Sequence, residues 1–232
     1  MANSNTLSDS PVNHPVSDFN LHTAITADVD AIVTDIEGTT TDLRFVRDTL
    51  FPYARERLAS FVREHADSPD VARVLEQVAH LAGLRGADIE ASIAKLIAWS
   101  DADEKITALK ALQGLIWNAG YRDGALRAPV YPDVAPALKR WRTNGIRTYV
   151  YSSGSIAAQQ LLFAHTIEGD LTPLFDGYFD TTSGGKLSAD SYRTIASAIG
   201  LLPARLLFLS DHAGEVAAAR EAGWLAVQVV RP

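Results

Sequence analysis

Three short apolar runs, beginning near Val29, Ile146 and Leu206, each break off directly into carboxylates or hydroxyls. A strand that is apolar on both faces belongs inside a parallel sheet covered by helices on each side. Segments with helical periodicity separate the three runs, so the chain reads as α/β, with a doubly wound, mostly parallel sheet. Ligand crevices of such sheets lie beyond the carboxyl ends of the strands. The groups at those ends are Asp35 and Glu37 in Asp35-Ile36-Glu37-Gly38-Thr39-Thr40, Ser152 and Ser153 in Ser152-Ser153-Gly154-Ser155, and Asp211.

The alternation is interrupted once. Leu50, Ala54, Leu58, Phe61 and Val62 follow a helical spacing with Pro52 in the first turn, and no strand pattern appears from Asp67 to Gly124. Ile89, Ile93 and Leu96 mark one amphipathic helix. Asp101 and Glu104, spaced as a capping box, are expected to open another that carries Ile106, Leu109, Leu112 and Ile116. An inserted all-helical cap is the expectation: residues 51–125 form the cap, and 28–50 with 126–232 form the α/β catalytic core. Residues 1–27, rich in Ser, Asn, Thr, Asp and Pro, are expected to be a flexible N-terminal tail.

After Tyr131 the alternation resumes. Asp133 is expected to cap a helix that Asn144-Gly145 stops, and Ser155 one that runs from Ile156 to about His165. A short strand at Tyr178-Phe179, helices over Ser188–Ile199 and Glu215–Ala222, and a last strand over Ala226–Val230 complete the pattern.

Composition removes several kinds of chemistry. There is no cysteine, which excludes disulfides, thiolate metal sites and cysteine nucleophiles. The net charge is -7 without a dense basic run, so no nucleic-acid partner is expected. No apolar run is long enough to span a membrane, and the N-terminus lacks a basic segment followed by an apolar one. A cytoplasmic protein without a membrane partner is the expectation.

The strand-end groups suggest a phosphate site. Asp35, Glu37 and Asp211 offer hard oxygen donors of the kind Mg²⁺ prefers, and a turn at Gly38 lets the Glu37 carbonyl face the metal. The amides and hydroxyls of Ser152 and Ser153 lie before a helix start, where anions bind. Lys186, after Gly184-Gly185, either neutralises phosphate or is a solvated surface lysine. His212, beside Asp211, is either a ligand or an ordinary histidine, packed in neutral form or exposed to solvent. Glu215 either bonds metal-bound water or serves the start of its helix.

These residues resemble the haloacid dehalogenase superfamily of aspartate-nucleophile phosphatases, whose pattern appears here as Asp35-Ile36-Glu37-Gly38-Thr39, Ser152, Lys186 and Asp211. Glu37 replaces the usual second aspartate. With Phe45 to Ala54, Tyr151 to Ser155, Leu112-Gln113-Gly114 and Val229-Val230-Arg231-Pro232, it points to the enolase-phosphatase (acireductone synthase) subgroup of methionine salvage. The resemblance implies a haloacid dehalogenase-like Rossmannoid core and one Mg²⁺ per chain held by Asp35, Glu37 and Asp211. It also implies a phosphorylated small metabolite, a diketo-methylthiopentyl phosphate, as substrate, and it leans to a monomer. Asp35 would be the nucleophile, Glu37 the acid–base residue, and Ser152, Ser153 and Lys186 the phosphate binders. A generic small-metabolite phosphatase is the alternative, and a catalytically silent binding module the distant one. A dehalogenase is disfavoured, since halide displacement needs no metal site.

Overall fold

The computed structural model describes residues 29–84 and 88–231, so the expected tail over 1–27 lies outside the described residues. Among these residues, β1 (Ala31–Thr34), β2 (Arg147–Tyr151), β3 (Gly177–Phe179), β4 (Leu206–Ser210) and β5 (Leu225–Gln228) form one parallel sheet. Its order is β3-β2-β1-β4-β5. Thr34 pairs with Val150 on one side and with Leu209 on the other. That register sets Asp35 level with Tyr151 and Ser210, and the Asp35 amide donates to the Leu209 carbonyl at 2.8 Å. The three runs therefore end along one edge.

The period of two along β1 divides its side chains between the faces. Ile32 enters a cluster with Leu138, Trp141, Val150, Phe163 and Leu207, whereas Ala31 and Val33 enter another with Tyr151, Tyr192, Ile195 and Phe208. Helices α6 (Val134–Thr143) and α7 (Ile156–Ala164) contribute to the first cluster, α8 (Ala189–Ile199) and α9 (Ala213–Glu221) to the second. Burial on both sides is why every residue of β1 and β4 is buried.

Between β1 and α6 the chain is helical: α1 (Leu43–Phe45), a π-helical turn (Val46–Leu50), α2 (Phe51–His65), α3 (Pro69–Ala82), α4 (Ile89–Asp101) and α5 (Thr107–Arg122). Their apolar faces make a third cluster that includes Leu58, Val62, Val78, Leu96, Leu109, Leu112 and Ile116. Trp117 packs against both this cluster and the Ile32 cluster, and it stitches the helices to the sheet by donating its indole N–H to the Leu50 carbonyl at 2.7 Å.

Several local expectations are corrected. Asp101 and Glu104 form no capping box: Asp101 ends α4 and pairs with Arg55 at 2.6 Å, while α5 opens at Thr107 behind apolar Ile106. Helix begins at Leu43 rather than Leu50, because Asp42 accepts the Arg44 amide and the π turn carries the helix into α2. Helix α3, capped by Ser68, was not resolved as a separate helix by periodicity. Asp133 precedes α6 as expected but makes no side-chain cap; its carboxylate binds Arg231 instead. Helix α9 starts at Ala213, ahead of Glu215, and β5 ends at Gln228, short of Val230.

Candidate active site

The turn after β1 is held from several directions. The Ile36 carbonyl accepts the amides of Thr39, Thr40 and Thr41 at 3.2, 2.9 and 2.9 Å, and Gly38 returns a bond from its amide to Thr41. Gly38 sits at φ +68, and a Cβ there would come 2.2 Å from Asp211 Oδ2. Only glycine suits both the left-handed backbone and that approach. The Asp211 amide donates to Thr39 Oγ1 at 3.0 Å, tying the end of β4 to the same turn. Arg231 clamps it from the far side, giving two bonds to the Thr39 carbonyl (2.8 and 2.6 Å) and two to Asp133.

Asp35 is buried, and its Oδ1 accepts the Ile36 amide at 2.7 Å and meets Lys186 Nζ at 2.6 Å. Lys186 is itself only 8% exposed, which decides against a surface role. Its ammonium also meets Glu215 Oε2 at 2.7 Å, and Ser210 Oγ donates to that same oxygen at 2.8 Å. Glu215 is thus the counter-charge of the lysine. The loop that delivers Lys186 is fastened through its main chain: Tyr151 donates to the Gly184 carbonyl, Ser191 to that of Gly185 and Tyr192 to that of Lys186. A Cβ at Gly184, at φ +115, would run into Ser191.

Ser152 is buried at the end of β2, and its Oγ accepts the Gly154 amide at 3.3 Å, while Ser153 is exposed. Gln159 holds this loop by donating to the Gly154 and Phe179 carbonyls at 2.7 and 2.9 Å. His212 is exposed and caps α9, its Nδ1 accepting the Glu215 amide. Sequence reasoning gave no individual role to Thr39, Ser210 or Arg231, although Thr39 and Arg231 stand within the motifs that carry the resemblance. Ser210 carried a local signal of its own, a hydroxyl immediately before a strand-end acid.

Charge is unevenly distributed. Four carboxylates, Asp35, Glu37, Asp211 and Glu215, act on one another around one buried ammonium. Burial pushes the Asp35 carboxyl up to about 6 despite the attraction of Lys186. Glu37 is also raised, by burial first and then by Asp211, against the pull of Lys186 and Lys105. Asp211 is raised by burial and by Glu215. Burial depresses Lys186, but Asp35 and Glu215 outweigh that and hold it above the ordinary lysine value. So many acids beside one lysine would repel a phosphate dianion, and a cation is the natural remedy.

The donors fit Mg²⁺. Among the described residues no three His, Asp or Glu side chains converge as a ligand set. Two carboxylates, Asp35 and Asp211, flank a turn whose main chain lies directly against Asp211 at Gly38. A hard ion that keeps several waters needs no more side chains than these.

A haloacid dehalogenase-like hydrolase model matches residues 29–223, and the chain belongs to that family of hydrolases. Within it, the chain is 55% identical over 203 residues to Enolase-phosphatase E1 of Pectobacterium carotovorum subsp. carotovorum, covering 88% of this chain and 89% of that protein. Enolase-phosphatase E1 of Pseudomonas aeruginosa is 54% identical, with 88% and 90% covered. Among solved structures, the UTR4 protein of Saccharomyces cerevisiae superposes with a TM-score of 0.77 at 33% identity, with 88% and 91% covered.

Proposed function

We propose that the chain is a Mg²⁺-dependent enolase-phosphatase of methionine salvage. It enolises a diketo-methylthiopentyl phosphate and then dephosphorylates it to an acireductone. The supporting observation is a buried aspartate at the end of β1, ion-paired with a buried lysine and followed two residues later by a glutamate whose carboxyl burial holds above its ordinary value. The names of relatives at 54–55% identity support the substrate.

In this reading an Asp35 carboxylate oxygen attacks phosphorus, and the bond from phosphorus to the carbon skeleton's oxygen breaks. Glu37 gives its proton to that leaving oxygen, a role suited to a carboxyl whose acid form burial favours. Water then attacks the aspartyl-phosphate, Glu37 takes the proton, and Asp35 is regenerated. Lys186, Ser152 and Ser153 hold the phosphoryl oxygens, and Glu215 keeps Lys186 charged and aimed. Mg²⁺, held by the Asp35 and Asp211 carboxylates and the Glu37 carbonyl, would offset anion–anion repulsion and polarise a substrate carbonyl. Residues 51–125 act as a cap over the core of 28–50 and 126–232, excluding water and selecting the methylthio end. A cytoplasmic monomer belongs to the same reading; no helix among the described residues is long and apolar enough to cross a membrane.

The test is turnover of the diketo phosphate with and without Mg²⁺, following enol absorbance and phosphate release together. Enol absorbance rising before or with phosphate, abolished by chelation and restored by Mg²⁺, is expected. Phosphate release that survives chelation would overturn the metal assignment.

A further inference from the structure

Resting on the reading above, we propose that Gln159 is a positioning residue for phosphate: it braces the Ser152–Ser153 loop against the segment that leads to Lys186, so the two sides of the phosphate cradle keep one spacing. The sheet explains why a brace is needed. Pairing between β2 and β3 ends with Tyr151 opposite Phe179. Beyond it the Ser152 amide makes one last bond, to the Phe179 carbonyl at 3.2 Å. One chain then turns through Ser153 and Gly154, and the other runs from Asp180 toward Gly184-Gly185-Lys186.

Gln159 lies in the first turn of α7, where side chains lean back toward the helix start. Its amide nitrogen donates to the Gly154 carbonyl at 2.7 Å and to the Phe179 carbonyl at 2.9 Å. A single group thus joins the serine loop to the end of β3, and both of its N–H donors are spent on that junction. Gln159 is only 2% exposed, and its Oε1 is buried without a partner among the described residues. A buried orphan acceptor is costly and rare, so packing alone would favour an apolar side chain here. What an apolar side chain could not supply is the pair of donors.

Pinning the Gly154 carbonyl also acts on the far side of the same peptide. That unit is planar and trans, so the Ser155 N–H points away from Gln159. Ser153 and Ser155 are exposed, and their amides have no partner among the described residues. The Ser152 hydroxyl accepts the Gly154 amide at 3.3 Å, which leaves its own hydrogen to give. These donors gather before the start of α7, where an anion is favoured. Without Gln159 the serine loop and the Lys186 segment lose their common tie, which loosens phosphate and leaves the Asp211 side of the site intact.

The experiment uses calorimetry on the whole protein to measure Kd for Mg²⁺ alone and for inorganic phosphate with Mg²⁺ saturating, and it reads kcat/KM on the diketo phosphate. Gln159→Met, similar in length but without donors, should raise the phosphate Kd about tenfold and lower kcat/KM at least as much, with the Mg²⁺ Kd within about twofold of the parent's. Gln159→Glu, buried against two carbonyls, stays a carboxylic acid and keeps one donor, so its phosphate Kd should fall between those of the parent and Gln159→Met. Gln160→Met, at the exposed neighbour on the same helix, should match the parent. A phosphate Kd in Gln159→Met within about twofold of the parent's, or a Mg²⁺ Kd that rises as much as the phosphate Kd, overturns this inference. If that variant does not fold, an unchanged phosphate Kd in Gln159→Glu overturns it instead. Either result leaves the enolase-phosphatase reading standing while the parent releases phosphate from the diketo ester with Mg²⁺; a parent that does not brings down both.

Discussion

The strand-end site and the helical insert are held together by different forces. At the strand ends, position is set by hydrogen bonds and charge: Thr39, Arg231, Ser210, Glu215 and Tyr192 each hold particular atoms of their neighbours. In the insert, position is set by apolar packing of Leu58, Val62, Leu96, Leu112 and Ile116, while the ion pairs sit outside, as in Arg63–Glu90 at 53% and 65% exposure. Directional bonds give the accuracy that phosphoryl transfer needs. Apolar packing lets a group of helices keep its shape while it shifts as a body. Chemistry and stability should therefore respond to different substitutions.

Asp35→Asn gives the sharpest break. It should abolish steady-state phosphate release from any ester, by roughly a thousandfold or more, with far-UV circular dichroism unchanged. Turnover near the parent's would sink the nucleophile assignment. Lys186→Met should cost about a hundredfold and move the acid limb of the kcat/KM profile upward. The sign follows from the pairing: Lys186 lowers the Asp35 carboxyl, so without it Asp35 stays protonated to higher pH and the limb climbs above its parent position. A limb moving down would contradict the pair.

Leu112→Ala tests the other region. It should lower unfolding free energy by about 2–5 kcal/mol in urea titrations, since Leu112 is fully buried in the third cluster. Turnover by the folded fraction, below the transition, should stay within a few-fold. A large loss of activity with little loss of stability would join the two regions again. Arg63→Ala, which breaks an exposed pair, should leave both the thermal midpoint and turnover within replicate scatter.

The sheet was legible because β1 and β4 are almost wholly apolar, β2 ends in the run Tyr149-Val150-Tyr151, and all three stop at polar groups, which local pattern alone reveals. The candidate groups at strand ends were picked out by the same rule. What stayed hidden depends on partners far along the chain. Asp101 was read as a capping residue because Arg55 across the insert could not be seen, and Asp133 because Arg231 could not. Lys186 was ambiguous for the same reason: its burial comes from the loop that Tyr151, Ser191 and Tyr192 bind, and nothing near Lys186 announces that. The start at Leu43 was missed because a π turn breaks the 3.6-residue period on which helix reading relies.

The Arg231 clamp has a consequence in time. The turn it grips follows β1, the first strand of the sheet, and the Arg231 bond to Thr39 spans a separation of 192 residues. Closing so long a loop must wait until all the residues between Thr39 and Arg231 have been made. A nascent chain halted before Arg231 would carry Asp35, Lys186 and Asp211 yet hold its first turn unfastened. The turn that carries Asp35 should thus be fastened only once Arg231 has been made, and a cut just before Arg231 should loosen it.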